Sequence, residues 1–146
     1  MPHYDAIVIG SGQAGGPLSQ KLADRGWAVA LVEKEHLGGT CVNTGCTPTK
    51  TMIASAQVAH YARNADRWGV RAGAVSVDLP KVVARKDQVV GRSRAGLNRK
   101  VEERPTLHLY RGHARFIAPH ELRVGEERLE SERIFIDRRW PRGSGP

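Results

Sequence analysis

The chain has 146 residues, a formal net charge of +8 and only two cysteines. This length favours a single domain with a sizeable core, and two cysteines are too few for a disulfide scaffold. No apolar run long enough to span a membrane and no secretory leader is visible. We therefore expect a cytoplasmic protein with no membrane contact.

A dinucleotide-binding βαβ unit is predicted at the start of the chain. Residues 4–10 form an apolar run that ends in glycine, as a buried parallel strand does. A helix is predicted to follow. It runs to about Asp24, and Gly26 just beyond it stops the helix. A second strand is predicted over residues 27–33.

Three glycines lie between the first predicted strand and helix with the spacing GxGxxG. Gly10 allows a tight turn, Gly12 lets the backbone approach a pyrophosphate, and Gly15 lets the helix pack against the strand. The alternative is that the glycines serve packing alone. The free N–H groups of the helix N-terminus favour negative phosphates. Glu33, at the end of the second strand, is placed to accept hydrogen bonds from a ribose, and its charge favours FAD or NAD over NADP.

The only two cysteines, Cys41 and Cys46, follow this unit directly. In a regular helix, residues five apart lie roughly 9 Å from each other at Cα, whereas a disulfide needs about 4.4–6.8 Å. A Cys41–Cys46 disulfide therefore requires a distorted backbone, which Asn43 and Gly45 permit. A zinc site is disfavoured because further ligands are lacking.

The residues around Cys46 favour a reactive thiol. If the next helix begins near Pro48, Cys46 lies close to its N-terminus, where the helix dipole lowers a thiol pKa. Lys50 would add positive charge nearby. An isolated cysteine pair in a reducing compartment is more often catalytic than structural.

The remaining elements are a helix over residues 48–62, an irregular segment over 69–77 and a long helix. Asp78 is a plausible N-cap for that long helix, with Pro80 just inside it. The helix is expected to end near Glu103.

The period changes to that of strands from residue 106. Four short strands are predicted, and the last, over residues 133–137, is apolar enough to join the main parallel sheet. The predicted fold class is α/β, a Rossmann-like FAD-binding domain with a parallel sheet plus a small antiparallel β-meander. We expect an incomplete FAD-binding domain over residues 1–137 and a disordered basic tail over 138–146.

The excess of Lys and Arg raises the possibility of a nucleic-acid partner. The basic residues fall mostly on the long predicted helix and in the tail. They are not interleaved with aromatic residues as in a base-stacking surface. We expect a solvated helix face and no nucleic-acid partner.

Residues 4–15, Glu33 and the block Gly39–Lys50 resemble the N-terminus of the class I pyridine nucleotide-disulfide oxidoreductases. This family includes dihydrolipoamide dehydrogenase, glutathione reductase and mercuric reductase, and Thr47–Met52 is most similar to the mercuric reductase-like branch. The resemblance implies that NAD(P)H reduces FAD in the complete enzyme. FAD then reduces a Cys41–Cys46 disulfide, which reduces a small-molecule disulfide or a metal ion.

The same resemblance implies a role for individual residues. Cys46 would be the thiolate next to the flavin, and Cys41 the interchange thiol that meets the substrate. No metal-ligating residues are expected, since the cysteine pair lacks further ligands. The cofactor-binding residues would be Gly10, Gly12, Gln13, Ala14, Gly15, Glu33, Lys34, Gly39, Thr40, Lys50, His113 and Ala114.

The sequence departs from the family at its end. The family continues the strand at 133–137 into a Thr-Gly-Ala-like turn, whereas here a basic segment without periodicity follows. We expect a frameshift or assembly break near codon 138, which the downstream DNA in the other two frames would reveal. The NAD(P)H-binding domain and the interface domain that forms the family's homodimer are not seen, so we expect a fragment inactive alone. The alternative is a free-standing FAD or dinucleotide-binding module that needs a separately encoded partner.

Overall fold

The structure, a computed structural model, describes residues 2–137. These residues form two compact units. The first takes in the residues up to Gly39 and those from Arg94 onward, and the second is Thr40–Ser93. The predicted disordered tail and the expected break near residue 138 lie outside the described residues.

The described elements agree with the predicted order of strands and helices. The strands are β1 (Ala6–Ile9), β2 (Val29–Glu33), β3 (Leu107–Arg111), β4 (Ala114–Ala118), β5 (Glu121–Val124), β6 (Glu127–Glu130) and β7 (Ile134–Ile136). The helices are α1 (Gly15–Ala23), α2 (Gly39–Asn43), α3 (Cys46–Arg63) and α4 (Leu79–Glu102), with a short 3₁₀ helix at Ala65–Trp68.

The first unit is built on a four-stranded sheet in the order β3-β2-β1-β7. Every pairing in it is parallel, and Val8 of β1 lies between Leu31 of β2 and Phe135 of β7. Both central strands are buried, which explains their continuous apolar sequences. The predicted α/β class, and the prediction that the last strand joins the parallel sheet, are confirmed.

The two faces of this sheet pack against different elements. On one face, Val8 and Leu31 pack with Leu22 of α1 and with Val101 near the end of α4. On the other face, the apolar residues of β1 and β2 pack against the β-meander, whose contributing side chains are Leu122, Val124 and Leu129.

The predicted antiparallel β-meander is confirmed, as β4-β5-β6. The sequence predicts four strands after residue 106, and the structure has five. The missed strand is β6, of sequence ERLE, whose only buried residue is Leu129. One apolar residue among charged ones leaves too little alternation to be recognised.

The second unit consists mainly of helices. Helix α3 begins at Cys46, two residues before the predicted start, and it is preceded by the short helix α2, which the sequence did not predict. Residues 70–78 are irregular, close to the predicted segment. Several large apolar side chains of this unit are exposed, among them Val58 at 69% and Trp68 at 79%.

The N-cap of α4 is confirmed by its hydrogen bond. The backbone N–H of Lys81 donates to Oδ1 of Asp78 at 3.1 Å.

We expect Asp78→Ala to destabilise the second unit by about 1 kcal/mol, because the first turn loses this acceptor. Urea denaturation followed by circular dichroism measures the loss. Asp78→Asn, which also caps well, is the matched control, and an equal loss in both variants would contradict the capping role.

Candidate functional site

The turn between β1 and α1 has no space for side chains at its glycines. A Cβ atom at Gly15 would lie 2.1 Å from the carbonyl oxygen of Gly10, and one at Gly10 would lie 2.1 Å from that of Asp137. Gly10 also has φ +96°, which L-residues rarely adopt. Glycine is therefore required for α1 to start this close to the sheet, as the GxGxxG spacing predicts.

Glu33 lies at the carboxyl end of β2 and is only 9% exposed. Its Oε2 accepts hydrogen bonds from the backbone N–H of Ser11 at 3.0 Å and from the Ser11 hydroxyl at 2.6 Å. Its Oε1 accepts from the N–H of Glu35 at 3.0 Å. These bonds fix the carboxylate beside the glycine turn, which satisfies a buried charge.

Ser11 also connects the glycine turn to the loop before α2. Its hydroxyl accepts a hydrogen bond from the N–H of Gly38 at 3.2 Å, and its carbonyl oxygen accepts from the same N–H at 3.1 Å. Next to this contact, a Cβ atom at Gly39 would lie 2.8 Å from Cα of Gly12. Residues far apart in sequence thus meet at one edge of the sheet.

A third loop reaches the same edge. The N–H of Gly112 donates to the carbonyl oxygen of Glu33 at 3.0 Å. His113 therefore follows directly after a residue bonded to the end of β2, and Ala114 begins β4. Within the first unit, the structure brings the glycine turn, Glu33, Gly39 and the His113–Ala114 segment together.

The remaining predicted residues of the first unit are on the surface. Gln13 and Ala14 are exposed in the glycine turn. Lys34 is also exposed, and its Nζ lies 3.4 Å from Oε1 of Glu35.

Two residues at this edge were not singled out from the sequence. One is Ser11, which lies inside the GxGxxG segment itself. The other is Asp137, whose Oδ2 accepts the N–H of Gly15, the first residue of α1, at 2.7 Å. The signal for Asp137 was its place at the end of a parallel strand, where ligands of such sheets bind.

The cysteines of the second unit flank a break between helices. Helix α2 ends at Asn43 and α3 begins at Cys46, so the backbone between the cysteines is distorted, as the spacing argument requires. A Cβ atom at Gly45 would lie 3.0 Å from the carbonyl oxygen of Thr40 and 3.5 Å from Cα of Cys41. Gly45 therefore allows the two segments to approach closely.

Both cysteines are free thiols, with Cys41 half-buried and Cys46 exposed. A hydrogen bond to Cys46 raises the pKa of the Cys41 thiol above its ordinary value, and desolvation and the charge of Cys46 add to this. A backbone hydrogen bond to Cys46 and the charge of Lys50 act in the opposite direction and lower that pKa. The raising effects outweigh the lowering ones, so the pKa of the Cys41 thiol lies above its ordinary value.

The described part of the chain shows neither a cluster of metal-ligating side chains nor a helix that could span a membrane. Residues 2–137 contain no group of three or more His, Cys, Asp or Glu side chains placed to hold a metal ion. None of the helices described is both long and apolar enough to cross a membrane.

A family model called pyridine nucleotide-disulphide oxidoreductase matches residues 4–136. The chain belongs to this family. The match covers the glycine turn, Glu33, both cysteines and all of β7. The resemblance expected from the sequence is thereby confirmed.

Curated members of the oxidoreductase family are similar to this chain. The dihydrolipoyl dehydrogenase of Bacillus subtilis is 39% identical over 116 residues, which are 80% of this chain and 24% of that protein. The mercuric reductase of Lysinibacillus sphaericus is 30% identical over 134 residues, 92% of this chain and 24% of that protein. The chain thus spans about a quarter of the length of these relatives.

A solved structure is also similar. It is the Cu(II) complex of the HOCl-induced flavoprotein disulfide reductase RclA from Escherichia coli, with a TM-score of 0.74 and 35% identity. The match covers 94% of this chain and 29% of that chain.

We expect Ser11→Ala to destabilise the first unit by about 1–3 kcal/mol, because the buried Glu33 carboxylate and the Gly38 N–H each lose a partner. Ser19→Ala is the control. Ser19 is also buried, but its hydroxyl bonds only to a neutral carbonyl, that of Gly16. Urea denaturation of both variants measures the difference, and equal losses would contradict the role given to Ser11.

We expect the alkylation of Cys41 to reach its half-maximal rate at a lower pH in Cys46→Ala, because the hydrogen bond that raises the Cys41 pKa is lost. Lys50→Gln should move the midpoint to higher pH, because Lys50 lowers this pKa. Iodoacetamide labelling followed by peptide mass spectrometry measures both. An unchanged midpoint in Cys46→Ala would show that the two thiols do not interact in solution.

Proposed function

We propose that this chain supplies the FAD-binding part and the redox-active dithiol of an FAD-dependent pyridine nucleotide-disulfide oxidoreductase. The observation that carries the proposal is the buried Glu33 carboxylate, fixed by Ser11 of the glycine turn at the carboxyl edge of a parallel sheet. This is the arrangement that recognises the ribose of a dinucleotide. Family membership supplies the flavin and the disulfide chemistry.

The residues at the edge of the sheet fit the adenosine half of FAD. Glu33 would accept hydrogen bonds from the ribose hydroxyls, and the glycine turn would lie beside the pyrophosphate. The close approach of Gly39 to Gly12 leaves the cofactor a surface of backbone groups. The full set proposed to hold FAD is Gly10, Gly12, Gln13, Ala14, Gly15, Glu33, Lys34, Gly39, Thr40, Lys50, His113 and Ala114.

The thiols would carry the chemistry. FAD, when bound and reduced by NAD(P)H, would supply the two electrons that, with two protons, convert a Cys41–Cys46 disulfide into the dithiol. After loss of its proton, Cys41 would attack a substrate disulfide and release one substrate thiol. The Cys46 thiolate would then attack Cys41, which restores the protein disulfide and releases the second thiol.

The activity of the whole protein is part of the same proposal. In this proposal NAD(P)H is the electron donor, and the substrate is a small-molecule disulfide or a metal ion. The whole protein is proposed to be a homodimer located in the cytoplasm. The similar proteins named flavoprotein disulfide reductase and mercuric reductase support the two classes of substrate.

The test is FAD binding by the purified chain, followed by quenching of flavin fluorescence and by visible absorption after desalting. We expect Glu33→Gln to weaken FAD binding about tenfold, because the ribose hydroxyls lose a charged acceptor. Glu132→Gln removes an exposed carboxylate of the same unit and is the control. FAD binding that is unaffected by the change at Glu33 would contradict the proposed site.

A further inference from the structure

Asp137 is held at the N-terminus of α1 by its backbone and by its side chain. Its N–H donates to the carbonyl oxygen of Ile9 at 2.7 Å, which extends the pairing of β7 with β1 by one residue. Its Oδ2 accepts the N–H of Gly15 at 2.7 Å. Asp137 is thus held by one backbone hydrogen bond and by one hydrogen bond to its carboxylate.

The carboxylate also lies directly over the glycine turn. A Cβ atom at Gly12 would lie 2.8 Å from Oδ2 and 3.6 Å from Oδ1 of Asp137. Gly12 is the glycine whose missing side chain lets a pyrophosphate approach the backbone. The space that this glycine opens therefore contains a carboxylate.

A pyrophosphate and this carboxylate would need the same hydrogen-bond donor and the same space. The first N–H groups of a helix, with the positive end of its dipole, favour an anion. Here one such N–H, that of Gly15, already binds an anionic oxygen. A phosphate that approaches also meets a like charge at a few ångströms, which disfavours binding.

We infer that Asp137 determines the affinity of the glycine turn for dinucleotides, because its carboxylate takes the place of the pyrophosphate on α1. The inference rests on the proposed FAD site. Binding of the cofactor requires Asp137 to leave the Gly15 N–H and to turn away from Gly12. Neutralising this one side chain removes the like-charge repulsion, and a neutral amide holds the Gly15 N–H less strongly than a carboxylate does.

The variant that isolates the charge is Asp137→Asn. Asn has the same shape and can still accept the N–H of Gly15, so the cap on α1 is retained. The control is Asp5→Asn, since Oδ2 of Asp5 likewise accepts a backbone N–H, that of Ala28, at 2.8 Å. Asp5 precedes β1 and so lies at the opposite end of the strand.

The experiment titrates the full chain and both variants with FAD by fluorescence quenching and with inorganic pyrophosphate by calorimetry. We expect Asp137→Asn to bind both at least about tenfold more tightly than the unchanged chain. Asp5→Asn should bind like the unchanged chain. A chemical shift change at the Gly15 amide on adding pyrophosphate would report the donor directly.

The outcomes separate this inference from the proposed function. If FAD binds equally to the chain and to Asp137→Asn, the inference is overturned while the FAD site stands. If Asp137→Asn gains affinity for pyrophosphate while neither protein binds FAD, the inference about the glycine turn stands and the FAD proposal fails. If Asp137→Asn gains affinity for neither ligand, or Asp5→Asn gains as much, the inference is overturned.

Discussion

The close approach of α1 to β1 is the constraint on which the first unit depends. It exists because Gly15 has no Cβ atom, which would otherwise lie 2.1 Å from the Gly10 carbonyl oxygen. With α1 held there, Ser11 reaches Glu33, and the first N–H of the helix points at the end of β7. The contacts of Ser11 with Glu33 and of Gly15 with Asp137 follow from a turn whose glycine positions have no space for a side chain.

The two predicted chemistries use different backbone devices. The predicted nucleotide side depends on a glycine with positive φ and on the backbone N–H groups at the start of α1. The thiol side depends on an interruption between α2 and α3, which places Cys41 and Cys46 on separate helical segments. Cys46 raises the pKa of the Cys41 thiol and is the more exposed of the two, so each sulfur has a distinct environment.

The sequence was most informative where one residue type decides the local structure. The glycine spacing predicted the turn, Asp78 predicted a helix start, and the uninterrupted apolar runs predicted parallel strands. It was least informative where burial of a single residue decides, as for Leu129 in β6. The contact of Asp137 with Gly15 and that of Ser11 with Gly38 were not predicted, because both join segments far apart in sequence. Sequence spacing does not encode those contacts.

The order of strands in the sheet has a consequence for how the chain is made. Of the described strands, β1 is synthesised first, lies in the middle of the sheet and pairs with the last one described, β7. One side of β1 therefore lacks its partner until β7 has been synthesised, and non-local pairing of this kind is slow to form. An unpaired apolar strand is also a site where nascent chains associate wrongly. The first unit thus assembles only when its last described strand arrives.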